Sequence, residues 1–400
     1  MAVSFPGPVT CFLLVAILVF VLAVSPATGA DDYVSVAHWG REGTNNGEFL
    51  WPIGIATDPA GNVYVSDANR FDIQKFAPDG TFLKKWGSSG TGQGQFNGPE
   101  GIAVDGNGTV YVVDRHNRRI QVFTSDGAFL DAWGGMGTSI GVLSDPVAIA
   151  TDTAGFVYVL LRDSCQVYRI APDGTFFGRW GGEGSGDGEF RYPTGIAVDP
   201  SGNVFVADND DPWTMDHDEN YRIQKFTADG VFLAKWGHSG IGDGELSFSE
   251  SIAADGMGNV YVVDGGVSRV QKFSSTGAFV TKWGSNGSAS GQVHHPLGIA
   301  VDRSGFVYVV EQGNHRVQKF ERQGSIPVVL VPGGSALPRD LNGDGKYEDV
   351  NGNGRKDFAD VTLYFTQMTW IGANEPLAAF DYNGNGRLDF ADVAWLFSHL

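Results

Sequence analysis

From residue 33 to about residue 325 the chain is a succession of short apolar runs in which hydrophobic and polar side chains alternate, each bounded by Gly, Asp or Asn. Arg-Ile-Gln-Lys-Phe at 222–226 and Arg-Val-Gln-Lys-Phe at 269–273 show the period of two that sends alternate side chains to opposite faces of a β-strand. The runs recur as units. Gly-Ile-Ala-Val-Asp stands at Gly101–Asp105 and Gly195–Asp199, with variants ending at Asp58, Asp152, Asp255 and Asp302. Val-Tyr-Val follows a Gly-containing turn, beginning at Val63, Val110, Val157, Val260 and Val307, with a Phe variant from Val204. Ile/Val-Gln-Lys-Phe ends at Phe76, Phe226, Phe273 and Phe320, with a Val variant at Phe123. A Trp-Gly pair completes the unit at Trp39, Trp86, Trp133, Trp180, Trp236 and Trp283, with steps of 47, 47, 47, 56 and 47 residues. The long step contains an insertion, Asn209–Asn220 (NDDPWTMDHDEN).

Four short strands in a unit of this length predict one propeller blade, and six copies predict an all-β, six-bladed propeller whose sheets bury their faces against one another. The sixth set of strands, ending at Phe320, has no Trp-Gly after it, and Trp39 has no set before it. Tyr33–Trp39 is therefore expected to supply the outer strand of the last blade. The competing segment, Ile326–Val331 (IPVVLV), carries Pro327, which has no N–H for a ladder but is tolerated at an edge.

Over about residues 33–325 these units resemble NHL repeats, most visibly at Asp114-Arg115-His116-Asn117-Arg118-Arg119-Ile120 and Glu311-Gln312-Gly313-Asn314-His315-Arg316-Val317. Within the chain an acid and an Arg recur together: Asp114 with Arg119, Asp264 with Arg269, Glu311 with Arg316, and Asp208 with Arg222 across the insertion. Repeat three has Leu161 and Gln166 there, so both members are absent at once. That is the signature of an ion pair inside the blade, because one buried charge without its partner is costly. Repeat one breaks the pattern with Asp67 and Asp72, leaving Arg70 as the available cation.

The apolar run Cys11–Val24 is broken by Ser25-Pro26 and followed by small residues to Ala30. It reads as a secretory signal peptide over residues 1–30, cut before Asp31, with an uncleaved anchor as the alternative. Its 14 residues fall short of the ~20 that span a bilayer, so no lasting membrane span is expected. The mature chain then occupies a secreted or cell-surface, extracellular setting. Cys165 is its single cysteine, so no internal disulfide forms and a small buried side chain is expected. Glycine is 57 of 400 residues, double its usual ~7% share, in keeping with many tight turns. A formal net charge of −19 argues against nucleic acid or anionic lipid as partners. The expected organisation is signal peptide 1–30, propeller 31–325, linker 326–338 and a separate C-terminal domain 339–400.

Propellers bind ligands at the mouth of the central channel. The residue before each Gly-Ile-Ala run should lie there: Ile53, Glu100, Val147, Thr194, Glu250 and Leu297. Blades two and five are opposite in a ring of six, so Glu100 and Glu250 should face one another, with His294 and His295 just outside. These four are the candidate ligand-binding residues, for a cation or for acid–base work, or simply as solvated groups lining a wet pore. NHL propellers resemble the peptidyl-hydroxyglycine amidating lyases, which hold zinc through several histidines. That resemblance implies an alternative, a metal-dependent lyase or hydrolase in the channel, although only His294 and His295 of the eight histidines fall near the mouth. In the insertion, Trp213 and Met215 beside carboxylates are suited to a sugar or peptide contact, with a plain acidic loop as the alternative.

The chemistry changes after the linker. Asp349–Asp360 (DVNGNGRKDFAD) and Asp381–Asp392 (DYNGNGRLDFAD) carry oxygen side chains at positions 1, 3, 5, 9 and 12 and Gly at position 6. This spacing wraps oxygens around a hard cation such as Ca²⁺. The first loop offers Asp349, Asn351, Asn353, the Arg355 carbonyl, Asp357 and Asp360. The second offers Asp381, Asn383, Asn385, the Arg387 carbonyl, Asp389 and Asp392. An overlapping third loop through Asp340, Asn342 and Asp344 holds an extra ion or is a polar lead-in. Duplicated loop–helix units with Asp at position 12 resemble dockerin domains over about Arg339–Leu400. The resemblance implies calcium and a cohesin-like scaffold partner. Lys356 stands where an apolar residue is usual, and Phe358-Ala359 and Phe390-Ala391 replace the Ser/Thr-type cohesin contacts. The expected function is a secreted, non-catalytic binding protein. Its propeller recognises an extracellular protein or polysaccharide while its C-terminal module docks to a surface.

Overall fold

The computed structural model describes residues 33–135, 140–211 and 220–322. They form six four-stranded antiparallel sheets, five of them built from strands taken in order from the axis outward and the sixth completed by the first strand of the chain. In blade one these are Pro52–Thr57, Val63–Asp67, Asp72–Phe76 and Phe82–Trp86. The innermost strands of successive blades touch one another in a closed ring, with Pro296–Val301 of blade six returning to Pro52–Thr57 of blade one. This is the six-bladed propeller expected from the repeats. Among the described residues no helix is long and apolar enough to cross a membrane.

Burial explains the repeat motifs. The Val-Tyr-Val strands are buried at every position, because both faces of a blade are covered by its neighbours. The Asp that follows each innermost strand caps the next turn, and in every blade but the fourth, which has Phe205, it accepts the tyrosine hydroxyl from the second strand. Asp58 accepts the Ala60 and Asn62 amides, each at 2.9 Å, and the Tyr64 hydroxyl at 3.0 Å. Burial pushes the equivalent Tyr111 phenol up to about 12, with Asp105 adding to the shift. The Trp-Gly tryptophans pack on the next blade: a Cβ at Gly80, whose φ is +88°, would lie 2.7 Å from the Trp39 ring.

Tyr33–Trp39 pairs antiparallel with Arg316–Arg322, from Tyr33 opposite Arg322 to Trp39 opposite Val317. The N-terminal strand thus closes the ring, as its unmatched Trp-Gly requires. Tyr33 also stacks on Trp283 at 4.1 Å and shares a hydrogen bond with the Tyr261 hydroxyl of blade five. The competing segment 326–331 lies outside the described residues.

The paired acids and arginines are present as buried ion pairs: Arg119–Asp114 at 2.7 Å, Arg222–Asp208 at 3.2 Å, Arg269–Asp264 at 2.9 Å and Arg316–Glu311 at 2.7 Å. Each clamps the loop arriving from the preceding blade. Asp114 accepts the Asn97 amide, and Arg119 donates to the Gly92 and Gln95 carbonyls. Burial still pushes Asp208 up to about 6 against the pull of the Arg191 amide and Arg222. In blade one Arg70 does the same work from a different register, pairing with Asp72 at 3.0 Å and donating to the Gly43 and Asn45 carbonyls. In blade three Leu161 is buried where the acid would be. Cys165 is buried at a turn with φ +51°, and burial pushes its thiol up to about 11. Of the insertion, Asn209, Asp210 and Asn220 are buried, while Trp213 and Met215 lie outside the described residues.

Candidate functional site at the channel mouth

Each innermost strand enters its blade through a β-bulge. The register slips between Pro99 and Ile102, between Pro193 and Gly195, between Ser249 and Ser251, and at the same place in the other three blades. A bulge re-aims the side chain it carries. Here it carries Ile53, Glu100, Val147, Thr194, Glu250 and Leu297. At or just past the end of each second strand stands a second set, Ala68, Arg115, Arg162, Asn209, Gly265 and Gln312. The chemistry of the mouth follows from which members of the two sets meet.

In blade two Glu100 meets Arg115, with 2.6 Å between carboxylate and guanidinium. Arg115 is also bonded to Asp145 of blade three through Nε and, at 3.0 Å, through Nη2. Burial pushes the Glu100 carboxyl up and the Arg115 charge pulls it back. In blade four Thr194 and Asn209 are buried and face the next blade, where Asn209 donates to the Ser249 carbonyl at 2.8 Å and accepts its amide at 2.9 Å. Thr194 donates to the same carbonyl. These polar groups join blades instead of facing the channel.

Blade five has the carboxylate without the cation. Glu250 lies over Gly265, where an added Cβ would sit 2.6 Å from Glu250 Cγ. Burial pushes the Glu250 carboxyl up to about 7, opposed by the charge of Arg162. Arg162 also pulls on Glu100, so its field reaches both carboxylates. The Arg162 guanidinium stacks over Tyr192 at 4.6 Å, and its buried Nε has no hydrogen-bond partner. Tyr192 lies 6.1 Å from Phe248, two residues before Glu250. On blade six the His294 and His295 rings meet edge to face at 4.9 Å, with His295 exposed at a φ of +46°. Among the described residues no group of three or more His, Cys, Asp or Glu side chains converges as a metal site. The calcium-loop residues Asp349 to Asp392 lie outside the described residues.

Repeat position singles out Glu100, Glu250, His294 and His295, of which Glu100 and Glu250 stand on equivalent bulges and the two histidine rings touch, but it leaves out Arg115, Asp145, Arg162, Tyr192 and Phe248. The same comparison of repeats applied one residue past the Val-Tyr-Val-Asp strand exposes the two arginines and the glycine that separates their fates.

An NHL repeat model matches residues 49–76, 96–123, 190–211 and 294–320, and a dockerin type I domain model matches residues 347–400. No curated protein matches the chain. Among solved structures, a protein of unknown function from Bacteroides thetaiotaomicron aligns with a TM-score of 0.54 at 16% identity, covering 72% of this chain and 75% of that one. A gluconolactonase from Xanthomonas campestris aligns at 0.51 and 15% identity, covering 74% and 99%. A streptogramin B lyase aligns at 0.49 and 14% identity, covering 74% and 100%. At such identities the likeness is one of fold. The repeats, their closure into six blades and the match beyond the propeller together identify the chain as an NHL-repeat β-propeller protein that carries a dockerin type I domain at residues 347–400.

Proposed function

We propose that the chain is a secreted, non-catalytic binding protein. In this reading the propeller recognises an extracellular polysaccharide or protein at its channel mouth, and the dockerin domain anchors it to a cohesin-like partner. The observation that carries the reading is the joining of a closed six-bladed propeller to a dockerin type I domain in one chain. Residues 1–30 direct export, 326–338 link the two parts, and the dockerin domain begins near residue 339. Asp349, Asn351, Asn353, Arg355, Asp357 and Asp360 hold one calcium ion, and Asp381, Asn383, Asn385, Arg387, Asp389 and Asp392 hold a second. Carboxylates at this density repel one another until a divalent cation joins them, so calcium and folding of the module are linked.

The experiment is cohesin capture of the secreted chain with calcium and with chelator, beside metal analysis of the purified protein. Calcium-dependent capture and two calcium ions per chain are expected. Capture that ignores chelator, or a calcium-free chain that still docks, would overturn the reading.

A second reading rests on Glu250. A carboxyl group at about 7 in a channel is matched to proton transfer at neutral pH. With the His294–His295 pair it would serve a lyase or hydrolase, and stoichiometric zinc in the propeller would favour that reading.

A further inference from the structure

We infer that Arg162, Tyr192, Phe248 and Glu250 form a subsite for a carboxylate-bearing sugar, a hexuronate unit of an acidic polysaccharide. The inference rests on the reading of the propeller as a saccharide-binding module and adds the chemical class of its ligand.

The four residues lie along three successive blades. Arg162 stacks on Tyr192 at 4.6 Å, Tyr192 lies 6.1 Å from Phe248, and Phe248 leads into the bulge that carries Glu250. The guanidinium thus covers one face of Tyr192, and the neighbouring Phe248 ring stands two residues before the carboxyl group. This aromatic surface suits the apolar C–H face of a pyranose ring. Neither the guanidinium nor the carboxyl group is committed. The Arg162 side chain has no hydrogen bond to any described residue, and its Nε is buried without a partner. Glu250 has neither hydrogen bond nor ion pair among the described residues, while Glu100 in the opposite blade is held by Arg115. A buried polar group left without a partner is costly unless a ligand or water completes it.

The identity of the missing partner follows from charge and shape. A guanidinium pinned on a ring offers a planar fork that fits a carboxylate with two parallel hydrogen bonds. Arg115 is already held by both Glu100 and Asp145, which leaves the Arg162 guanidinium as the one of the two that can take a ligand carboxylate. Glu250 sits at about 7, so below that pH it is a neutral carboxyl group that donates its proton to a ligand oxygen and does not repel the ligand charge. Among the described residues the other charged or titratable groups on the equivalent segments are Glu100, Arg115 and Asp145 on blades two and three, Asp210 on blade four, and His294 and His295 on blade six.

The test is titration calorimetry of the full chain, at fixed calcium concentration, with oligosaccharides of galacturonate, glucuronate or mannuronate. Each is measured beside its methyl ester, which keeps the ring and removes the charge. At pH 6 a free acid should bind about tenfold or more tighter than its ester, the gain expected of a charge-assisted bidentate pair. Ionisation of Glu250 should weaken that binding by up to about tenfold per pH unit above 7. Arg162→Gln should make acid and ester equal, and Arg162→Lys should keep part of the preference. Glu250→Gln should bind as the natural chain does at pH 6 and lose the decline by pH 8, with melting curves confirming that each variant folds. Equal binding of acid and ester, a preference that survives Arg162→Gln, or no uronate bound at all would overturn the inference. Binding of esters or neutral glycans alone would overturn it while leaving the propeller a saccharide-binding module. Absence of any saccharide binding would overturn both.

Discussion

Blades two and five place the same carboxylate at the same bulge and treat it in opposite ways. Glu100 is held by Arg115, which is itself held by Asp145 of the adjoining blade, and the three groups form a closed polar bridge. Glu250 faces Gly265 where the arginine would be and is left to ionise near neutral pH. Below the mouth the two blades agree: Asp114 pairs with Arg119 and Asp264 with Arg269, both carboxylates fully buried. The framework is thus repeated and the mouth is not. Repetition marks residues that stack and close the ring, and its failure marks residues free to do chemistry.

The largest effects should come from the shared framework and should be equal in the two blades. Arg119→Ala and Arg269→Ala each leave a buried carboxylate with amide donors, the Gln121 and Gln271 side chains among them, but no cation. Removing one partner of a buried pair costs about 3–5 kcal/mol. Chemical denaturation should show similar losses for both variants. Gln166→Ala in blade three, which has no pair, should cost well under about 1 kcal/mol. Unequal losses in blades two and five would break the claim that their frameworks are equivalent.

The next effect separates the blades. Arg115→Gly gives blade two the mouth of blade five and leaves Glu100 and Asp145 without their shared cation. A loss of about 2 kcal/mol is expected at pH 8, shrinking toward pH 4 as the carboxyls take up protons. Denaturation at the two pH values checks it. This contrast shows what was legible beforehand. Closure through Tyr33–Trp39 followed from a count, because six Trp-Gly pairs and six strand sets match only if the first serves the last. The ion pairs followed from joint loss at Leu161 and Gln166. Which mouth carboxylate is free could not be read from Glu100 and Glu250 themselves, since it depends on Arg115 and Gly265 fifteen residues later. Thr194, a mouth residue by position, is instead turned into the joint with Ser249. The alternation of the Val-Tyr-Val strands likewise did not show that both of their faces are buried, which is a consequence of stacking.

Glu250→Gln tests the free carboxylate through stability. The folded-state value of about 7 lies above the ordinary 4.5, so the folded protein holds this proton more tightly than the unfolded chain does. The stabilisation from that proton is complete below about 4.5 and is lost as the pH rises through 7. Glutamine cannot ionise. The variant should match the natural chain at pH 4 and exceed it at pH 8 by about 2 kcal/mol, allowing for partial exposure. Thermal melts across this range check it, and a variant less stable at pH 8 would mean that Glu250 has an ionic partner after all.

The smallest effect is the reciprocal graft. Gly265→Arg offers blade five the cation of blade two. The backbone at Gly265 is not in the left-handed region, and the atom a Cβ would crowd is Cγ of the Glu250 side chain, which can move aside. The stability change should therefore stay within about 1 kcal/mol. The carboxyl itself should respond clearly. With an arginine alongside, its pKa should fall from about 7 by about 1–3 units, as an adjacent opposite charge dictates. Carbon-detected NMR titration of the Glu250 carboxyl reads this shift directly. An unchanged value would mean that burial alone sets the proton affinity of this site and that the missing arginine is incidental. A lowered value would show that one residue, placed identically in two blades, decides whether a channel carboxylate is part of the framework or free to bind.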